Sequence, residues 1–170
     1  TDKISSVTID SRLVEEGSLF IATKGERVDG HSFIPVAIEK GAVAVVSEKP
    51  CTISVPYILV EDSFVALKAI AEYYRMCLSI PVVGITGSVG KTSTKDILAS
   101  VLASNYNVYK TEGNLNNHIG LPLTILNAPL ECDYWILEMG MNHLKEISYL
   151  SKIAEPNIAV ISNVGTSHIG

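Results

Sequence analysis

Residues Ile80–Leu98 read IPVVGITGSVGKTSTKDIL, and this stretch decides the fold. The β-branched run from Ile80 to Thr86 reads as a buried strand. A glycine-rich turn follows, Gly87-Ser88-Val89-Gly90, and Lys91-Thr92-Ser93 opens a helix expected to reach Ser104. Strand, glycine turn and helix in that order make a phosphate cradle. Glycines allow backbone angles that turn N–H groups inward. The helix start adds unpaired N–H groups and a positive dipole end. Lys91 can then reach the terminal phosphates of a nucleoside triphosphate, and the Thr92 hydroxyl can ligate Mg2+. The spacing is shorter than the general phosphate-loop pattern: Ile85 stands where that pattern has its first glycine, and only Ser88 and Val89 separate Gly87 from Gly90. The plain alternative is a strand-to-helix turn with an incidental lysine.

Outward from this loop the rhythm continues. Asn107–Lys110, Tyr134–Glu138 and Ile158–Ser162 read as strands, and Asn116–Asn127 and Leu144–Ile153 as helices. The loop helix places Ile97, Leu98, Val101 and Leu102 on one face, and the last helix places Leu144, Ile147 and Leu150 in step. Strands alternating with helices predict a parallel sheet covered by helices. Before Ser79 the pattern is separate. Ser18–Thr23, Ala42–Val46 and Tyr57–Val60 read as strands, Phe33–Lys40 as a short helix, and Ser63–Leu78 as a longer one. Phe64, Leu67, Ala71, Tyr74 and Leu78 lie on one face of that longer helix, with Asp62 or Ser63 as its cap. The expected fold class is α/β: a small α/β N-terminal domain, residues 1–78, then the first half of a P-loop-type parallel-sheet domain, residues 79–170. Only about four strands of a doubly wound sheet fit in that second half. The chain also starts with Thr1 rather than Met. Both features are expected of a piece of a longer enzyme.

In such sheets ligands bind at the carboxyl ends of the strands. Glu138 ends YWILE there, where a carboxylate can hold Mg2+; a solvated strand-end acid is the plain alternative. His168, in NVGTSH after another strand, is a candidate second metal ligand. Thr111-Glu112-Gly113-Asn114-Leu115-Asn116-Asn117-His118 is dense in amides that can bind a sugar or peptide, or else is a turn and helix cap.

Composition narrows the partners. With 13 basic and 18 acidic residues the formal charge is −5, which argues against a nucleic-acid partner. Cys51, Cys77 and Cys132 have no metal spacing and fit a reduced, cytoplasmic setting. The apolar runs are too short to span a bilayer, so no membrane insertion is expected; composition does not fix the oligomeric state, and a monomer is the expectation.

Together these residues resemble the Mur ligases. Asp10-Ser11-Arg12, Gly17-Ser18-Leu19-Phe20 and Lys24–Phe33 (KGERVDGHSF) are similar to that family's uridine-substrate domain. Thr86–Thr92 is similar to its shortened phosphate loop, and Glu138-Met139-Gly140-Met141 and Asn163–His168 also fit. Gly113–Asn117 and Gly120–Thr124 resemble the members that add D-Ala-D-Ala more than those that add one amino acid. Val89, Ser93 and Lys145 depart from the residues usual at those places. The resemblance implies an ATP-dependent ligase of bacterial peptidoglycan synthesis. Such an enzyme phosphorylates the carboxylate of UDP-N-acetylmuramoyl-tripeptide, and the amine of D-Ala-D-Ala then attacks the acyl phosphate. Carried over, Lys91 would hold the terminal phosphates, within a loop comprising Gly87, Ser88, Val89, Gly90, Thr92 and Ser93. Thr92 and Glu138 would hold one Mg2+ and His168 a second. Thr111, Asn114, Asn116 and Asn117 would line the UDP-muramoyl side. Ser11, Arg12, Arg27, Asp29 and His31 are candidates for the uridine side; a salt-bridged turn and a plain turn with a solvated histidine are the structural alternatives. The lysine often carbamoylated in the family and the amine-binding domain are not in these residues, so the 170-residue chain alone is expected not to ligate. Three alternatives are a ligase adding a single amino acid, a non-catalytic UDP-sugar- and ATP-binding module, and a P-loop kinase or GTPase. The short loop and the lack of a guanine-reading Asn-Lys-x-Asp count against the last.

Overall fold

A computed structural model describes residues 3–25 and 28–165. Arg27 and His168 lie outside the described residues. Contacts group the chain into two compact units, Thr1–Ala69 and Ile70–Gly170.

The first unit holds a four-stranded parallel sheet in the order β1-β2-β3-β4: β1 (Ser6–Thr8), β2 (Ser18–Ile21), β3 (Ala42–Ser47) and β4 (Tyr57–Leu59). β1 has only three residues and gives no alternating pattern of its own; pairing with β2 makes it a strand. The expected helix at Phe33–Lys40 divides into a 3-10 turn, Gly30–Phe33, and α1 (Ile34–Glu39), with Pro35 in the first turn of α1. Phe20, Ala37 and Val45 are fully buried between α1 and the sheet. The Asp62 carboxylate caps α2 (Ser63–Met76), accepting from the N–H groups of Phe64 (2.7 Å) and Val65 (2.9 Å).

The second unit is built on β5 (Val82–Thr86), β6 (Val108–Lys110), β7 (Tyr134–Glu138) and β8 (Ile158–Ile161), all parallel, in the order β6-β7-β5-β8. The order turns around β5, which has β7 on one side and β8 on the other. The crevice at the carboxyl end of β5 is therefore the expected ligand position. Trp135, Leu137, Leu121, Ile125 and Ile153 fill the core on one face, under α4 (Gly120–Leu126) and α5 (Glu146–Ala154). Ile85, Ile136 and Ala99 fill the other, under α3 (Lys91–Leu102).

Two expected helix faces are corrected. Ile97 and Val101 are largely exposed; the face of α3 that meets the sheet carries Lys95, Leu98, Ala99 and Leu102. Leu144 is 93% exposed and lies before α5, which starts only at Glu146. The Glu146 carboxylate explains that start: it accepts from the N–H groups of Asn142 and His143, and these bonds, the Asn142 bond first, hold its pKa below the usual glutamate value. Among the described residues, no helix is long and apolar enough to cross a membrane.

Candidate functional site

The four strand ends of the second unit bring together segments far apart in sequence. Ile85 of β5 is level with Glu138 of β7, and Thr86 with Ile161 of β8. The loop Gly87–Gly90 leaves β5, the asparagine-rich segment leaves β6, Glu138-Met139-Gly140 ends β7, and Ser162–Gly165 leaves β8.

Gly87 sits at φ +139°, and a Cβ there would come within 2.2 Å of Ser162 Oγ and 3.0 Å of the Asn163 backbone. No side chain fits that position without moving the β8 exit. Gly90, at φ +83°, leads into α3. The loop is tied to the β8 exit: the Ser88 N–H donates to the Asn163 carbonyl (3.1 Å), and the Val89 N–H donates to Asn163 Oδ1 (2.9 Å). Ser162 Oγ donates to the Val89 carbonyl (2.6 Å). Lys91 Nζ folds back onto the Gly87 carbonyl at 2.8 Å. Thr92 and Ser93 are exposed in the first turn of α3.

Glu138 is not a solvated strand-end acid. It is 2% exposed, and its Oε1 accepts from Asn116 Nδ2 at 2.8 Å. The Glu138 N–H donates to Thr111 Oγ1 at 2.9 Å. Gly140 allows this arrangement, since a Cβ there would press on the Asn116 amide at 2.9 Å. Among the described residues, Oε2 of Glu138 has no hydrogen-bond partner; it lies 3.8 Å from Lys95 Nζ. A buried carboxylate oxygen without a donor is costly, and it suits a hard divalent cation such as Mg2+. Among the described residues there is no group of three or more His, Cys, Asp or Glu side chains able to hold a metal.

Beside this carboxylate is a cavity of about 410 Å3, lined by Lys91, Asn116, Asn117, His118 and Asn142 among others. The asparagine-rich segment divides its labour. Asn116 and Asn117 face the cavity, while Asn117 Oδ1 also accepts from the N–H groups of Ile119 (3.0 Å) and Gly120 (2.7 Å) at the start of α4. Asn114 is exposed and is not among the lining residues. Thr111 is fully buried and supports Glu138, so it forms no wall for a substrate. Sequence reasoning missed Lys95, which is 3% exposed and joins the cluster from α3. The signal was present: positions 91, 95, 98, 99 and 102 form one helical stripe, and two of them are lysines.

In the first unit the expected uridine-side residues are mostly occupied with one another. Asp29 Oδ1 accepts from both the N–H (3.0 Å) and Nδ1 (2.6 Å) of His31, and Oδ2 accepts from Lys49 Nζ at 2.6 Å. These bonds, the lysine first, hold the Asp29 carboxyl well below the usual range. His31 Nε2 accepts the Glu48 N–H at 2.9 Å, so the ring proton is on Nδ1. With both nitrogens engaged and the side chain 7% exposed, His31 is a brace, not a solvated histidine. Arg12 pairs with Asp10 at 2.6 Å, and its side chain is 86% exposed. The Ser11 carbonyl accepts from Lys40 Nζ.

Residues 85–170 match the Mur ligase middle domain, and residues 3–84 match the catalytic domain of the Mur ligase family. The chain belongs to the Mur ligase family. Two similar relatives are both named UDP-N-acetylmuramoyl-tripeptide–D-alanyl-D-alanine ligase. The one from Synechocystis sp. is 46% identical over 99% of this chain and 38% of the relative, and the one from Bacillus subtilis is 47% identical over 98% and 37%. Among solved structures, the ligase MurF of Acinetobacter baumannii superposes with a TM-score of 0.90 at 39% identity, covering 98% of this chain and 37% of that one. MurF of Thermotoga maritima, solved with ADP, superposes at 0.87 with 42% identity, covering 98% and 39%. This Mur ligase chain thus spans less than two-fifths of the length of each. A diaminopimelate-adding ligase shares the fold at 20% identity and a TM-score of 0.62.

Proposed function

We propose that this chain is the nucleotide- and UDP-substrate-binding part of an ATP-dependent UDP-N-acetylmuramoyl-tripeptide–D-alanyl-D-alanine ligase working as a monomer in the bacterial cytoplasm. One observation carries the reading. A phosphate-type loop with Lys91, a buried carboxylate with an unpaired oxygen, and an amide-lined cavity converge on the same strand ends. A carboxylate is a poor electrophile, and a site that brings a polyphosphate beside a carboxylic substrate can give it a leaving group. The γ-phosphoryl group passes to the tripeptide carboxylate and releases ADP. The amine of D-Ala-D-Ala then attacks the acyl phosphate, and the C–N bond forms as inorganic phosphate departs.

In this reading residues 79–170 form the nucleotide domain and residues 1–78 the UDP-muramoyl domain. Lys91 leaves the Gly87 carbonyl for the terminal phosphates and neutralises charge there. Thr92 and Glu138 are the residues that would hold Mg2+, with His168 as ligand to a second ion; bound Mg2+ supplies further charge neutralisation on the phosphates. Asn116 and Asn117 face the muramoyl side, while Asn114 lies further out. Ser11, Arg12 and Arg27 remain the uridine-side candidates, with Asp29 and His31 shaping the turn they flank. A single-amino-acid ligase is the rival reading, and the resemblance to the D-Ala-D-Ala ligases at 46–47% identity, against 20% for the diaminopimelate-adding ligase, favours the dipeptide.

Calorimetry tests the binding reading directly. The chain is expected to bind ADP more tightly with Mg2+ than without, and to bind UDP-N-acetylmuramoyl-tripeptide. Binding of neither would overturn it. The acceptor is tested in the longer polypeptide, by competing D-Ala-D-Ala against a free diamino acid.

A further inference from the structure

Lys95 is buried to 3% exposure on the sheet-facing stripe of α3, a depth that lysines rarely reach without a partner. Its Nζ donates to the Thr111 carbonyl at 2.9 Å. Two carboxylates face it: Asp96 Oδ1 at 3.6 Å and Glu138 Oε2 at 3.8 Å. Asp96 is half exposed and already accepts from Lys110 Nζ at 2.7 Å. Glu138 is the buried partner, and its Oε2 accepts no hydrogen bond among the described residues.

The contacts form a closed frame. Lys95 holds the Thr111 carbonyl, the Thr111 hydroxyl holds the Glu138 N–H, and the Asn116 amide holds Glu138 Oε1. Only Oε2 is left open. At 3.8 Å the ammonium attracts this oxygen without using one of its lone pairs, since the separation exceeds hydrogen-bond length. The bond to Thr111 keeps the ammonium from closing into a contact pair.

We propose that Lys95 is a positioning residue for Glu138, fixing the Thr111 support and facing the open oxygen so that Glu138 is set to receive a divalent cation carried by a nucleoside polyphosphate. The proposal rests on the nucleotide reading given above and adds a residue to it. It also accounts for a lysine, rather than an aliphatic side chain, at a core position of α3.

The test is ADP binding measured by calorimetry with and without Mg2+, in the wild-type chain and in K95M, K95Q and D96N, each first checked for cooperative thermal unfolding. In K95M the gain in ADP affinity given by Mg2+ is expected to fall on the order of tenfold, as for other residues that orient a metal ligand. ADP affinity without Mg2+ stays at the wild-type value, which a general loss of structure would not leave intact. K95Q keeps a donor for the Thr111 carbonyl but no charge; it carries the test if K95M does not fold, and it too is expected to lose most of the gain. D96N keeps the full gain, because Asp96 belongs to the surface pair with Lys110. A full Mg2+ gain in a folded Lys95 variant would overturn the proposal. So would a larger gain, which would mean that the lysine competes with the cation. If wild-type chain shows no Mg2+ gain at all, the nucleotide reading itself fails and this inference falls with it.

Discussion

Two polar clusters lie at the ends of parallel strands in this chain, one in each unit, and they differ in how completely they are satisfied. In the first unit Asp29, His31, Lys49 and Glu48 close on one another: both Asp29 oxygens and both His31 nitrogens have protein partners. In the second, among the described residues, Glu138 keeps one buried oxygen without a hydrogen-bond partner, and Lys91 Nζ donates to the Gly87 carbonyl. Saturated groups hold a fold together, and a group left short is the one with capacity for a ligand. The contrast reassigns residues that look alike in sequence, since Asp-Gly-His and Glu-Met-Gly are equally polar motifs beside glycines.

Substitutions can break this comparison. The largest effect is expected at the unsaturated cluster. K91M should weaken ADP binding on the order of 10- to 100-fold, the loss of a charge-assisted contact. Its thermal midpoint should barely move, because Lys91 gives up one loop hydrogen bond; a large drop in midpoint would make Lys91 structural. H31A should do the reverse. It leaves the Glu48 N–H without its acceptor, at a cost of about 1–3 kcal/mol in denaturant unfolding, while nucleotide affinity is unchanged. N117A sharpens the boundary between the two kinds, since Asn117 both faces the cavity and caps α4. Loss of the cap should cost about 1 kcal/mol, together with weaker binding of the UDP-substrate; a stability loss with unaltered substrate binding would leave it only a cap.

The smallest effect is confined to acid. Asp29 has its carboxyl lowered below 3.8 by Lys49 and His31. A group depressed on folding adds stability that is fully present above its unfolded value and is lost as pH falls through the folded one. D29N should therefore flatten the acid limb of the stability curve below about pH 4, the unfolded aspartate range. An unaltered acid limb in D29N would show that the Asp29 cluster is not the brace described.

Much of this was legible in advance. The parallel α/β architecture followed from alternating strands and helices, and all four strands of the second unit fall within a residue or two of their expected bounds. Local signals fix such elements, because apolar period and turn residues act at short range. β1 was missed since three residues carry no period, and Leu144 was misplaced because Glu146 capping the turn before α5 overrides apolar spacing. The loop and Glu138 could be read from their places at strand ends. Lys95 shows in the sequence only as a second lysine on the sheet-facing stripe of α3; its role depends on Thr111 and Glu138, which come together through the pairing of β6 with β7. The same holds for His31, whose second partner, Glu48, is seventeen residues away.

The ties between the phosphate loop and Asn163 have one more consequence. Ser88 and Val89 give their N–H groups to Asn163, so the front of the loop is already spent on the protein. On the helix side of the loop, Lys91 and the first N–H groups of α3, which have no intrahelical acceptors, are available to an anion. In the proposed nucleotide site, half of this cradle is a splint and half a socket, and the ordering entropy that a phosphate would otherwise have to overcome in the front half is already met by the β8 exit.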